Sequence, residues 1–135
     1  MSLPPAGYSG KSLAAKLGLK PGLTVALIDG PANLDDLLEP LPDGVRLEQG
    51  FDRTAGIVWL FVRDRAALER QAPLATTAGD GAALWVSWPK KSSSLFVDLT
   101  EDGLREVLLP TGWVDVKVCA VDQDWSGLKF LRRRT

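Results

Sequence analysis

Histidine is absent from this sequence of 135 residues, and cysteine, methionine and tyrosine occur once each. Without histidine the commonest general base near neutral pH is missing, and with it every Ser-His or Cys-His nucleophile pair. The usual zinc constellations cannot be assembled either, so neither a metal nor a cofactor is expected. The lone Cys119 excludes an internal disulfide and makes a reducing cytoplasm the natural setting. No stretch approaches the roughly 18 consecutive apolar residues of a membrane span. The N-terminal MSLPPAGYSGKS also lacks an apolar core of signal-peptide length. Neither sign of charge dominates: 16 basic and 17 acidic residues give a net charge of -1. No global field therefore draws the chain toward nucleic acid or a membrane.

What is present is an ordinary globular composition, 45% hydrophobic and 24% charged, with five tryptophans as a large apolar supply. This length predicts one domain over residues 1–135, with a proline-containing extended arm over 1–8. Ser9 or Ser12 can cap a short helix that carries Leu13 and Leu17 on one face and stops at Gly18. Leu23–Ile28 reads as a strand buried on both faces, Ala32–Leu38 as a short helix stopped by Pro40, and Val45–Glu48 as a weaker strand. Ile57–Val62, all apolar and rich in β-branched and aromatic types, has the strongest strand signal and belongs at the centre of the sheet.

Asp64 caps a predicted helix to about Ala72, and Leu84–Trp88 is the next strand. Asp98 and Glu101 have capping-box spacing before a helix with Leu104, Val107 and Leu108 on one side. Val114–Val121 alternates valines and Ala120 against Asp115, Lys117 and Cys119, which predicts a half-buried strand with an Asp115–Lys117 ion pair. Leu128–Leu131 returns as an antiparallel edge strand. Strands alternating with helices predict a Rossmann-like three-layer α/β sandwich, its sheet mostly parallel and closed by an antiparallel C-terminal hairpin.

Ligands of open parallel sheets bind outside the carboxyl ends of the strands. Here those ends carry Asp29, Arg63, the segment Trp88-Pro89-Lys90-Lys91-Ser92 and the loop holding Trp125. Ammonium groups and a hydroxyl suit an anion and an indole suits a flat ring, so this rim is the expected ligand site. Three motifs fail. Gly10-Lys11-Ser12 copies the end of a P-loop, but Pro5 stands where its first glycine belongs. Asp29-Gly30-Pro31 has one glycine where a dinucleotide fingerprint needs three. Gly7-Tyr8-Ser9-Gly10 lacks the spacing of a nucleophile elbow.

The segments GYSGKSLAAKLGLKPG, FVRDRAALE, LWVSWPKKSS, VDVKVCAVD and WSGLKF resemble a bacterial protein family of unknown function over nearly the whole chain. That resemblance implies a single cytoplasmic domain. The order of elements is also similar to a shortened class I methyltransferase fold. Asp29-Gly30-Pro31-Ala32, however, replaces the glycine-rich loop that would receive S-adenosylmethionine. The leading expectation is a non-catalytic domain binding an anionic or nucleotide-like small molecule, or a partner protein. Its alternatives are a small transferase using Asp29 or Asp64 as base, and a homodimer formed through an exposed tryptophan face.

Overall fold

The computed structural model describes residues 12–133. The N-terminal arm, the Gly10-Lys11 pair and Arg134 lie outside the described residues. Six strands form one sheet in the order β2-β1-β3-β4-β6-β5. They are β1 Thr24–Ile28, β2 Arg46–Gln49, β3 Ile57–Phe61, β4 Ala83–Pro89, β5 Trp113–Ala120 and β6 Trp125–Arg132. The first four run parallel, while β6 pairs antiparallel with both β4 and β5. This is the α/β architecture expected from the sequence.

The strand runs are apolar because both faces are covered. On one face, α3 Arg65–Ala75 and α4 Glu101–Leu108 bury Leu68, Ala72, Leu104 and Leu108 against Val58, Leu60, Val86 and Phe130. On the other, α1 Leu13–Leu17 and α2 Leu34–Leu38 close over Val25, Leu27, Trp59 and Trp85. All five tryptophans are buried, the most accessible being Trp88 and Trp125 at 6%. An exposed tryptophan face for dimerisation therefore does not exist. Indole N–H groups this deep need acceptors. Trp59 Nε1 donates to Ser87 Oγ at 2.8 Å, Trp85 Nε1 to the Leu17 carbonyl at 3.1 Å and Trp113 Nε1 to the Thr76 carbonyl at 3.1 Å. The second and third bonds tie helical layers to the sheet.

Several local expectations are corrected. The cap of α4 is Thr100, whose hydroxyl accepts from Gly103 N at 3.1 Å, and not Asp98. Asp98 instead accepts from Arg65 N at 3.0 Å, joining the start of α3 to the segment before α4. Thr100→Ala should remove about 1 kcal/mol of stability, read as a lower urea midpoint at unchanged slope. Helix α3 continues past Ala72 through Pro73 to Ala75. Pro73 cannot donate an N–H within the helix, and Thr76 closes the turn by donating N and Oγ1 to the Ala72 carbonyl.

The hairpin order is also inverted: β6 is internal and β5 is the edge. An irregularity between Asp115 and Lys117 breaks the alternation of β5. The two residues thus do not pair. Asp115 accepts from Arg105 Nε at 3.0 Å and Lys117 Nζ donates to the Lys16 carbonyl at 2.8 Å. Val116 and Val118 are left more than half exposed, and the bulge blunts the edge against pairing with another strand.

Candidate functional site

Strand β1 leads through α2 to β2 on one side, whereas β3 lies on its other side and leads into α3 on the opposite face. Loops leaving β1 and β3 therefore diverge and open a crevice at the switch point. Asp29 ends β1 with φ of 60°, the left-handed region that aspartate tolerates better than most residues. That turn directs Gly30 and Pro31 along the crevice. A Cβ on Gly30 would lie 3.0 Å from the Leu27 side chain, so this glycine serves close packing on its own strand.

The opposite wall begins where Val62 N donates to the Ser87 carbonyl at 2.9 Å, holding the end of β3 to β4. Arg63 follows. Asp64 then caps α3 by accepting from Ala67 N at 2.8 Å, and Arg70 lies one turn beyond Ala67 on the same wall. The third wall is the turn between β5 and β6. Asp122 Oδ1 accepts from the N–H groups of Asp124 and Trp125, each at 2.9 Å. Ser93 Oγ donates to Asp124 Oδ1 at 2.8 Å and accepts from Leu95 N at 3.0 Å. Lys90 N donates to the Asp124 carbonyl at 2.8 Å. These bonds lock the segment after β4 onto the turn and bring Leu95 to the cleft.

This open cleft has a volume of about 630 Å³, of the size taken by small-molecule ligands. Its ionisable lining is Asp29, Asp64, Asp122 and Asp124 against Arg63 and Arg70. None of these carboxylates pairs with either guanidinium among the described residues. Phe61 and Trp125, in edge contact with centroids 5.1 Å apart, add aromatic surface.

Of the expected rim, the structure brings Asp29, Arg63 and Trp125 together in this cleft. Pro89 stands opposite Trp125 in the sheet register, so Lys90 does lie at the same end as Trp125. It nevertheless borders a second hollow of about 400 Å³ with Trp88, Lys91, Thr100, Glu101 and Ser126. The two hollows share no lining residue, and Trp88 packs in the α3–α4 core while Trp125 packs in the α1–α2 core. Ser92 is exposed and lines neither hollow, whereas its neighbour Ser93 makes the structural bonds. Sequence reasoning missed Arg70 and took in Asp124 only as part of the segment from Asp122 to Ser126. Arg70 was legible only as Ala67 plus three on a helix capped at Asp64.

Cys119 is half-buried on β5, away from the cleft. Burial raises its thiol pKa, and nearby Lys16 and Lys117 oppose that only in part. A raised pKa means less thiolate at any pH below it. Alkylation by iodoacetamide at pH 8 should therefore be slower in the native protein than after unfolding in urea.

No family model and no curated protein matches the sequence. Among solved structures the chain is similar to a possible exported protein from Bordetella parapertussis (TM-score 0.62, 13% identity, covering 90% of this chain and 65% of that one). It thus spans just under two thirds of that protein's length. It is also similar to an S-adenosylmethionine-dependent methyltransferase from Aquifex aeolicus (TM-score 0.59, 16% identity, 87% of this chain and 86% of that one). A third is the magnesium protoporphyrin IX methyltransferase from Synechocystis (TM-score 0.56, 11% identity, 89% of this chain and 74% of that one). The class that results is a fold: a Rossmann-like α/β domain shared with S-adenosylmethionine-dependent methyltransferases. Among the described residues no helix is long and apolar enough to cross a membrane, and no cluster of histidine, cysteine or carboxylate side chains is arranged for a metal ion.

Proposed function

We propose that the chain is a small-molecule-binding domain that takes an adenosine-type ligand carrying positive charge, of the S-adenosylmethionine class, in the cleft bounded by Asp29, Arg63 and Trp125. The observation that carries this reading is the lining itself: at the switch point of the sheet, four aspartates face two arginines and pair with neither. A field of that sign disfavours a phosphate-rich nucleotide and favours a sulfonium or ammonium. Carboxylate oxygens also accept from ribose hydroxyls, and the Phe61–Trp125 pair suits a base.

The loop after β1 speaks against a close backbone cradle. Asp29 and Pro31 line the cleft, and the space left by the missing Gly30 side chain faces Leu27. The donor set therefore fits such a ligand through side chains and not through a glycine-rich turn. Asp29 would hold it, with Asp122 and Asp124 supplying negative field from the turn already fixed by their hydrogen bonds. When bound, a sulfonium of this kind is a methyl donor. The cleft offers only carboxylates as bases, and three of the four, Asp64, Asp122 and Asp124, already accept structural hydrogen bonds. Binding without turnover is the reading these commitments favour. Methyl transfer is the second reading, supported by the activities of the Aquifex and Synechocystis proteins that share the fold.

Isothermal titration with S-adenosylmethionine, S-adenosylhomocysteine, adenosine and AMP separates the possibilities. The expected order of affinity follows charge, with S-adenosylmethionine first and AMP last. AMP binding most tightly of the four would overturn the proposal.

A further inference from the structure

Arg63 and Arg70 form, we infer, a carboxylate-binding subsite on the α3 wall of the cleft, for an acidic second ligand bound beside the adenosine-type one. The inference rests on the proposed cleft but on different residues. Both guanidiniums line it, and neither makes an ion pair or a side-chain hydrogen bond among the described residues. Other arginines are engaged, whereas Arg53 and Arg133 also make no such contact among the described residues. Arg65 binds Glu69 and Glu106, Arg105 binds Glu101, Asp102 and Asp115, and Arg132 reaches Asp80 and the Ala78 carbonyl while stacking 4.7 Å from the centre of the Trp113 ring.

Four aspartates share the cleft with these two arginines, yet three of them are directed elsewhere by local bonds: Asp64 to the α3 cap, Asp122 to the turn, Asp124 to Ser93. Asp29 points its carboxylate toward Gln71 Nε2, 3.5 Å away. Asp64 shares the α3 wall and Asp29 reaches across to it at Gln71, yet neither carboxylate pairs with Arg63 or Arg70. A planar fork of N–H donors with no internal acceptor matches a carboxylate in two-point geometry. The net negative lining favours a monoanion over phosphate, because each added negative charge works against the aspartates. The lysines of the neighbouring hollow do not contribute, since Lys90 and Lys91 border Glu101 and Asp102 instead.

The test uses the full chain, with benzoate, succinate and inorganic phosphate as probes and benzamide as the uncharged control, titrated with and without saturating S-adenosylhomocysteine. Benzoate should bind and benzamide should not, phosphate should be the weakest anion, and affinity should fall as salt rises. R63Q with R70Q should weaken benzoate binding by about tenfold or more, while K90A with K91A leaves it unchanged. Melting temperature checks that each variant folds. Absence of any carboxylate binding at millimolar concentrations, or benzoate binding that survives R63Q with R70Q in a folded protein, overturns the subsite. Carboxylate binding that depends on the arginines when no adenosine-type ligand binds would keep the subsite and sink the function proposed above.

Discussion

Replacing Trp85 with alanine is expected to cost about 3–5 kcal/mol of folding stability, the largest single loss the core should show. Trp85 sits in β4 with none of its surface exposed. Its ring packs against the backbone of β6 at Gly127, where an added Cβ would come within 3.3 Å of the indole. Its Nε1 holds the Leu17 carbonyl at the end of α1. Alanine would leave a cavity the sheet cannot close and free the last turn of α1. Against a typical domain stability of about 5–15 kcal/mol, a loss of that size populates unfolded chains. Urea unfolding gives the comparison. Trp85→Phe keeps most of the volume and should lose clearly less, and equal losses in the two variants would show that the hydrogen bond, not the packing, dominates.

Asp29→Asn should weaken S-adenosylmethionine binding by about tenfold or more while leaving the melting temperature within a few degrees. Asparagine keeps the size of the side chain and tolerates φ of 60° as aspartate does, so the backbone turn at the end of β1 survives. What disappears is a charge facing the cleft, together with the capacity to accept two hydrogen bonds from one pair of oxygens. Calorimetric affinity alongside a thermal melt separates the two effects. Unchanged affinity in a folded variant would remove Asp29 from the site.

These two residues mark how far the sequence could be read. The parallel core was legible because LTVALI, IVWLFV and LWVSW are continuous apolar runs of strand length, which only a sheet covered on both faces requires. The end of the chain was less so. Alternation in VDVKVCAV predicts a regular strand, but nothing in the letters announces the irregularity at Asp115–Lys117 or the insertion of β6 between β4 and β5. The strand order follows packing: Leu128 and Phe130 of β6 are buried beside β4, which leaves β5 the outer position.

The site divides in the same way. Asp29 and Arg63 could be placed at strand ends from the sequence, and they meet in one cleft. Trp125 was read as a loop residue and proves to begin β6, buried at the wall of that cleft. The conspicuous Lys90-Lys91 pair drew attention because charge beside a strand end looks like a ligand grip. Alternation along β4 sends Trp88 to the opposite layer, however, and the lysines go with that side of the rim. Arg70 and Asp124 carry no motif. Only the helix cap at Asp64 and the turn fixed by Asp122 and Ser93 bring them to the cleft.

The most direct test of the cleft as the binding site is a titration of the isotopically labelled protein with S-adenosylmethionine, followed by backbone amide shifts in two-dimensional NMR spectra. The account predicts shifts concentrated at residues 29–33, 61–70 and 122–125, with Lys91 and the β5 edge little changed. Shifts centred on the Lys90–Lys91 hollow, or no shifts at millimolar ligand, would contradict it.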